Sequence, residues 1–92
     1  MTRTIEIGIQ DYRFEPADLR IEVGTTVKWV NLEKRTSHSV LFTGKDSVES
    51  ERMFPGEFWE RRFDKPGIYL YTCGPHPEMQ GRIEVIESAR SE

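Results

Sequence analysis

The chain holds only two histidines, His38 and His76, and one cysteine, Cys73. Cys73-Gly-Pro-His76-Pro-Glu-Met79 places a thiol, an imidazole and a thioether at offsets of zero, three and six in one short segment. His38 comes from much earlier in the chain, at the expected start of a strand. Thiolate, two imidazoles and a thioether form the donor set of mononuclear electron-transfer copper sites. Thiolate and thioether suit Cu(I), imidazole suits both oxidation states, and a weak axial ligand leaves neither state in its preferred geometry. Little reorganisation then accompanies the transfer of one electron. Pro75 and Pro77 flank His76 and fix φ on both sides, so ordering that imidazole costs less entropy. Gly81 closes the segment and lets the chain re-enter a strand without a side-chain clash.

Each of these residues also has a plainer use. A lone cysteine in a β-protein is usually inert packing, a single histidine is more often structural than a ligand, and methionine fills gaps in cores. Met53 reads as packing of this kind. Zinc would also occupy a Cys-His-His set by affinity alone. A Cys73 nucleophile with His76 as its base lacks a clearly placed acid to orient that base. A self-sufficient oxidase or reductase would need further metal centres, and no spare histidines remain. The chain does not read as an enzyme.

These residues must be positioned by a small molecule. Ninety-two residues and 10.8 kDa make one domain, residues 1–92, with 86–92 expected as a frayed tail. Hydrophobic residues are 36% of the chain and charged residues 32%, so the core must be compact, and a metal or partner would help stabilise it. Thirteen basic against sixteen acidic side chains give a net charge of −3, which argues against nucleic-acid binding. The Lys34-Arg35 and Arg61-Arg62 pairs are too short for a basic tract and read as solvated faces. One cysteine rules out an internal disulfide framework. No apolar run approaches the roughly 20 residues of a membrane span. The N-terminus carries no apolar signal core.

Period-2 alternation marks the elements. Ile5, Ile7 and Ile9 share one strand face, and Leu19, Ile21 and Val23 share another before the Gly24-Thr25 turn. Val27 and Trp29 face one way and Lys28 the other, and Val40 to Thr43 forms a short strand. Gly44-Lys45-Asp46-Ser47 is a turn, and the stretch from Gly44 to Gly56 is the least patterned. Trp59, Arg61 and Phe63 share a face, with the Arg61 stem expected along apolar surface and its guanidinium in water. Tyr69, Tyr71 and Cys73 point one way and Ile68 and Leu70 the other, after an Asp64-Lys65-Pro66-Gly67 turn. Ile83 and Val85 mark the last strand, and both tryptophans are assigned to the core. Seven or eight short strands predict an all-β, antiparallel sandwich.

The segment from Cys73 to Met79, preceded by Pro66-Gly-Ile-Tyr69-Leu-Tyr71-Thr, resembles the cupredoxins, the type 1 blue copper proteins, especially their plastocyanin and amicyanin branch. Val23-Gly-Thr-Thr-Val27-Lys-Trp-Val-Asn31, leading to Ser37-His38-Ser39-Val40, is similar to that family too, as is Phe54-Pro-Gly56-Glu. The likeness runs from Phe14-Glu-Pro16 to Gly81-Arg-Ile83. It implies a Greek-key β-sandwich binding one copper ion through His38, Cys73, His76 and, weakly, Met79. The implied role is a one-electron carrier, with copper binding, buffering or delivery as the alternative. It further implies a monomer without a membrane span, working in the periplasm or otherwise outside the cytoplasm. The implied partner is a transient redox protein: a cytochrome, a redox enzyme or a respiratory complex. Pro75, Pro77, Phe14, Phe42 and Met53 are candidates for an apolar docking patch around an exposed edge of His76. Ser39 departs from the pattern, since several family members carry Asn after the first histidine, where its side chain braces the cysteine loop. A hydroxyl donates over a shorter reach. Glu78 adds a carboxylate beside the axial ligand.

Overall fold

The N-terminal alternation forms β1 (Arg3–Gln10), whose Ile7 and Ile9 are fully buried. In this computed structural model residues 3–44 and 47–87 are described, so residues 88–92 of the expected tail and the Lys45-Asp46 part of the expected turn lie outside the described residues. Ile86, expected in that tail, instead ends the last strand, its carbonyl accepting from Val23 N–H at 2.9 Å. β2 (Arg13–Glu15), β3 (Asp18–Glu22), β4 (Thr25–Asn31) and β5 (Leu41–Phe42) follow. Then come β6 (Phe58–Phe63), β7 (Gly67–Thr72) and β8 (Gln80–Ile86), with no helix among the described residues.

Two four-stranded sheets face each other, in the orders β2-β1-β4-β6 and β3-β8-β7-β5. The sandwich is the expected class, but neither sheet is wholly antiparallel. β1 runs parallel to β4 and β3 parallel to β8. The cause is the chain path. After the β1–β2 hairpin the chain passes to the other sheet for β3 and returns beside β1 as β4. Strands joined by such a crossover run in the same direction.

Between the sheets, Phe14, Trp29, Phe42, Phe63 and Tyr71 interlock in the core. Trp29 meets Tyr71 edge-on at 5.5 Å, and Phe14 meets Tyr71 at 4.7 Å. Each such pair contributes about 0.5–1.5 kcal/mol beyond the area it buries. Trp59 sits at the rim of this cluster, partly buried and 5.5 Å from Trp29. The expected alternation on β7 holds, with Tyr71 and Cys73 buried and Ile68 and Leu70 exposed.

Arg61 departs from its expected pose. Its guanidinium carbon lies 4.4 Å from the Phe42 ring centre, 4.9 Å from Phe63 and 5.5 Å from Tyr69. Nη1 is buried and makes no hydrogen bond among the described residues. The charged head therefore lies over aromatic faces, held by cation–π attraction, with Nη1 shut off from water. β6 is an edge strand, and an inward-pointing charge on such a strand discourages pairing with other chains.

Gly81 has a packing reason. A Cβ on it would overlap the ring of Tyr71, directly across the β7–β8 ladder. The strand that carries Cys73 and the strand that leaves the Met79 loop are thus packed closely at the end where the chemistry-bearing residues gather.

Candidate metal centre

Cys73 lies one residue beyond β7, on the inward side it shares with Tyr71, and is fully buried. His38 stands in the segment between β4 and β5. Its backbone pairs with Met53 in an isolated bridge, His38 N–H donating to Met53 O at 3.1 Å and Met53 N–H to His38 O at 2.8 Å. Asn31, at the end of β4, ties this region together. Its amide donates to Met53 O at 2.8 Å and Thr36 O at 2.9 Å, and its Oδ1 accepts from Glu33 N–H at 2.9 Å. A buried amide with three partners fixes the loop instead of costing desolvation.

The Cys73–Met79 segment closes on itself. His76 N–H donates to Cys73 O at 3.1 Å, Met79 N–H to His76 O at 2.9 Å, and Cys73 N–H to Met79 O at 3.2 Å. With Pro75 and Pro77 on either side, this holds His76 at one place. Met79 is buried in the same segment.

His38 Nδ1 lies 3.5 Å and His76 Nδ1 3.6 Å from Cys73 Sγ. The ligand atoms of the three residues lie within 4.8 Å of one another. The far nitrogen of His38, Nε2, is 3.3 Å from Glu33 Oε2. An ionised carboxylate only accepts, so Nε2 carries the proton and Nδ1 presents a lone pair toward Cys73. Glu33 Oε2 also accepts from Tyr12 N–H at 2.9 Å.

Ser39 makes the brace that its short side chain left open. Gly74 N–H donates to Ser39 Oγ at 3.0 Å, and that hydroxyl donates to Glu49 Oε2 at 2.8 Å. Ser39 N–H reaches Cys73 Sγ at 3.3 Å. Gly74 permits the approach, because a Cβ there would overlap the Glu49 carboxylate.

Burial pushes the Cys73 thiol above its ordinary range, against hydrogen bonds from the backbone at Ser39 and His76 and the charge of Arg52. Burial also lowers His38, with Glu33 working the other way and His76 adding to the decrease. Both effects favour the uncharged forms in the metal-free protein. A bound cation reverses that logic for the thiol, which ligates as thiolate. One soft sulfur and two imidazole nitrogens fit copper or zinc and not a hard, oxygen-seeking ion.

The sequence matches the model of the copper binding proteins, plastocyanin/azurin family, over residues 1–86. The chain belongs to this family. One copper ion is its cofactor. Among similar proteins, amicyanin-alpha of Methylorubrum extorquens is 33% identical over 84 residues, covering 87% of this chain and 70% of that protein. Amicyanin of Paracoccus versutus is 33% identical over 85 residues, covering 88% of this chain and 64% of that protein. A solved reduced amicyanin mutant superimposes with a TM-score of 0.85 at 30% identity, covering 90% of this chain and 82% of that one. The protein is thus a cupredoxin of the plastocyanin and amicyanin type.

In this cupredoxin the structure brings together His38, Cys73 and His76, and packs Met79 into the loop that carries two of them. The expected docking patch is corrected in part. Phe14, Phe42 and Met53 are each at most 2% exposed and belong to the core, because they pack into the buried apolar cluster. Pro75 and Pro77 do lie at the surface. Three residues escaped the sequence reading: Tyr12, Glu33 and Glu49. Glu33 and Glu49 sit in polar stretches where one carboxylate looks like another. Tyr12 gave one signal, a three-residue gap between the alternating β1 run, which ends at Gln10, and Phe14.

Proposed function

We propose that this protein carries one electron at a time, with copper held by His38, Cys73 and His76 and weakly by Met79. Copper, when bound, supplies the one-electron change between Cu(II) and Cu(I). The observation that carries the reading is the convergence of two Nδ1 atoms on one sulfur at 3.5 and 3.6 Å. The protein's own work is to hold those donors still. Hydrogen bonds between Ser39 and the Cys73 loop, the closed Cys73–Met79 segment and the Glu33–His38 pair all resist movement of the donor atoms. A site that cannot relax has little to reorganise.

Burial favours carriage over copper delivery. His38 and Cys73 are fully buried, and ligands so enclosed exchange a metal slowly. His76 is the partly exposed member, framed by exposed Pro75 and Pro77. It offers the short path to the surface that a transient redox partner needs, and a small interface suits fast release. We infer that this exchange takes place outside the cytoplasm, in keeping with the family resemblance.

Titration of the metal-free protein with one equivalent of Cu(II) tests the reading by visible and EPR spectroscopy. The expected result is an intense thiolate-to-copper band with narrow hyperfine splitting, absent in Cys73→Ala. Met79→Ala should keep the copper but change the potential. A pale solution with ordinary tetragonal signals would overturn the assignment.

A further inference from the structure

Asp11 and Tyr12 are the two residues linking β1 to β2, and both take left-handed backbone conformations, with φ of 56° and 57°. A two-residue hairpin with two positive φ values favours Asn or Asp first and Gly second. Asp11 satisfies that preference. Tyr12 breaks it, because a bulky side chain in this region crowds its own backbone. Glycine there would serve the turn better.

The Tyr12 ring accounts for the exception. It meets His38 at 5.5 Å with an interplanar angle of 88°, and His76 at 5.0 Å with 78°. Its hydroxyl lies 3.2 Å from Thr36 Oγ1, and its N–H holds the Glu33 carboxylate that pairs with His38. Tyr12 is 48% exposed, so little of the reason for keeping it is core burial. Among the described residues, the one imidazole–carboxylate pair belongs to His38. Among the described residues His76 has no such carboxylate, and the Tyr12 ring is an aromatic surface common to both imidazoles. Positions where a local backbone rule is broken tend to be functional ones.

We propose that Tyr12 is a positioning residue for the copper centre: its ring buttresses both imidazoles, and an unfavourable turn conformation is retained to place it there. This rests on the copper reading above. The ring limits rotation of His76 in particular, and so keeps its Nδ1 directed at Cys73 with or without metal.

Tyr12→Gly separates turn from ring, since glycine accepts the positive φ and keeps the N–H that Glu33 uses. Metal-free Tyr12→Gly should melt at or above the temperature of the parent. Its His76 imidazole resonances should broaden or move toward free-imidazole values. Loaded with Cu(II), it should change its EPR hyperfine pattern and release copper to a chelator on the order of tenfold faster, as expected for loss of a group supporting a ligand. Tyr12→Phe should restore the parent's values in all of these. The proposal is overturned if Tyr12→Gly keeps the parent's imidazole resonances and copper release. It is equally overturned if metal-free Tyr12→Gly melts well below the parent, or if Tyr12→Phe behaves like Tyr12→Gly. A parent without the blue spectrum would sink the copper reading alone, while the metal-free imidazole and melting comparisons would still decide the role of Tyr12.

Discussion

Glu33 Oε2 stands 3.3 Å from Nε2 of His38, a ring with no exposed surface, while the opposite nitrogen faces Cys73 Sγ at 3.5 Å. The carboxylate selects the tautomer and makes the ring a better electron donor to whatever Nδ1 binds. It also brings negative charge near the centre, which favours the oxidised metal. Glu33→Gln should therefore lower copper affinity on the order of tenfold. It should also raise the reduction potential, by about 59 mV for each tenfold by which Cu(II) loses more affinity than Cu(I). Chelator competition and potentiometric titration measure the two effects. A lowered potential would contradict this role.

Ser39 links two loops through one hydroxyl, accepting from Gly74 N–H and donating to Glu49. Ser39→Ala removes both bonds and leaves Gly74 N–H without that acceptor. At the usual net worth of a hydrogen bond, the loss should be about 1–2 kcal/mol. Urea unfolding of the metal-free protein checks it. An unchanged midpoint would show that the bridge adds nothing to stability.

Gly81→Ala should destabilise through overlap with Tyr71, whose ring is packed against Phe14, Trp29 and Phe42 and cannot swing away. Overpacking of this kind costs about 1–3 kcal/mol. Thermal melting of the metal-free variant measures the loss. A melting temperature equal to the parent's would mean that the ring does have room to move.

Burial pushes the pKa of the Tyr71 hydroxyl up to about 12, with the nearby Trp29 indole opposing the rise. Neither Trp29 Nε1 nor Tyr71 Oη makes an aligned hydrogen bond among the described residues. An unfolded tyrosine ionises near pH ~10, so below that pH both states keep the proton and its ionisation costs no stability. Above it the unfolded state loses its proton first, and folding stability falls until the folded hydroxyl ionises in turn. The loss should reach roughly 2–3 kcal/mol near pH 12, because each tenfold difference in proton affinity between the two states is worth about 1.4 kcal/mol. Tyr71→Phe should match the parent near neutral pH and lose less stability than the parent in strong alkali, as followed by chemical unfolding across that range.

Much of this site was written in local sequence. Cys73, His76 and Met79 share one seven-residue segment, so backbone geometry and two prolines keep them together whatever surrounds them. Strand faces were equally legible, because side chains alternate every second residue and the buried ones must be apolar. Ile7, Ile9, Trp29, Tyr71 and Ile83 are buried as that rule requires. Arg61 obeyed the alternation but not the expected pose, since its fate depended on three rings brought to it by the fold.

What alternation cannot carry is which strands become neighbours and in which direction. The parallel pairing of β1 with β4 and of β3 with β8 follows from the chain crossing between sheets. The support around the ligands belongs to the same class. Glu33, Glu49 and Tyr12 are one polar or aromatic residue among many until a hairpin and two loops arrive at one end of the sandwich. The donor atoms and the buried faces could be read from the chain alone, because both depend on residue type and short spacing. Which carboxylate meets His38, how Ser39 braces the Cys73 loop and which ring covers both imidazoles were left to the folded molecule, because those contacts join residues held together by packing and not by the chain.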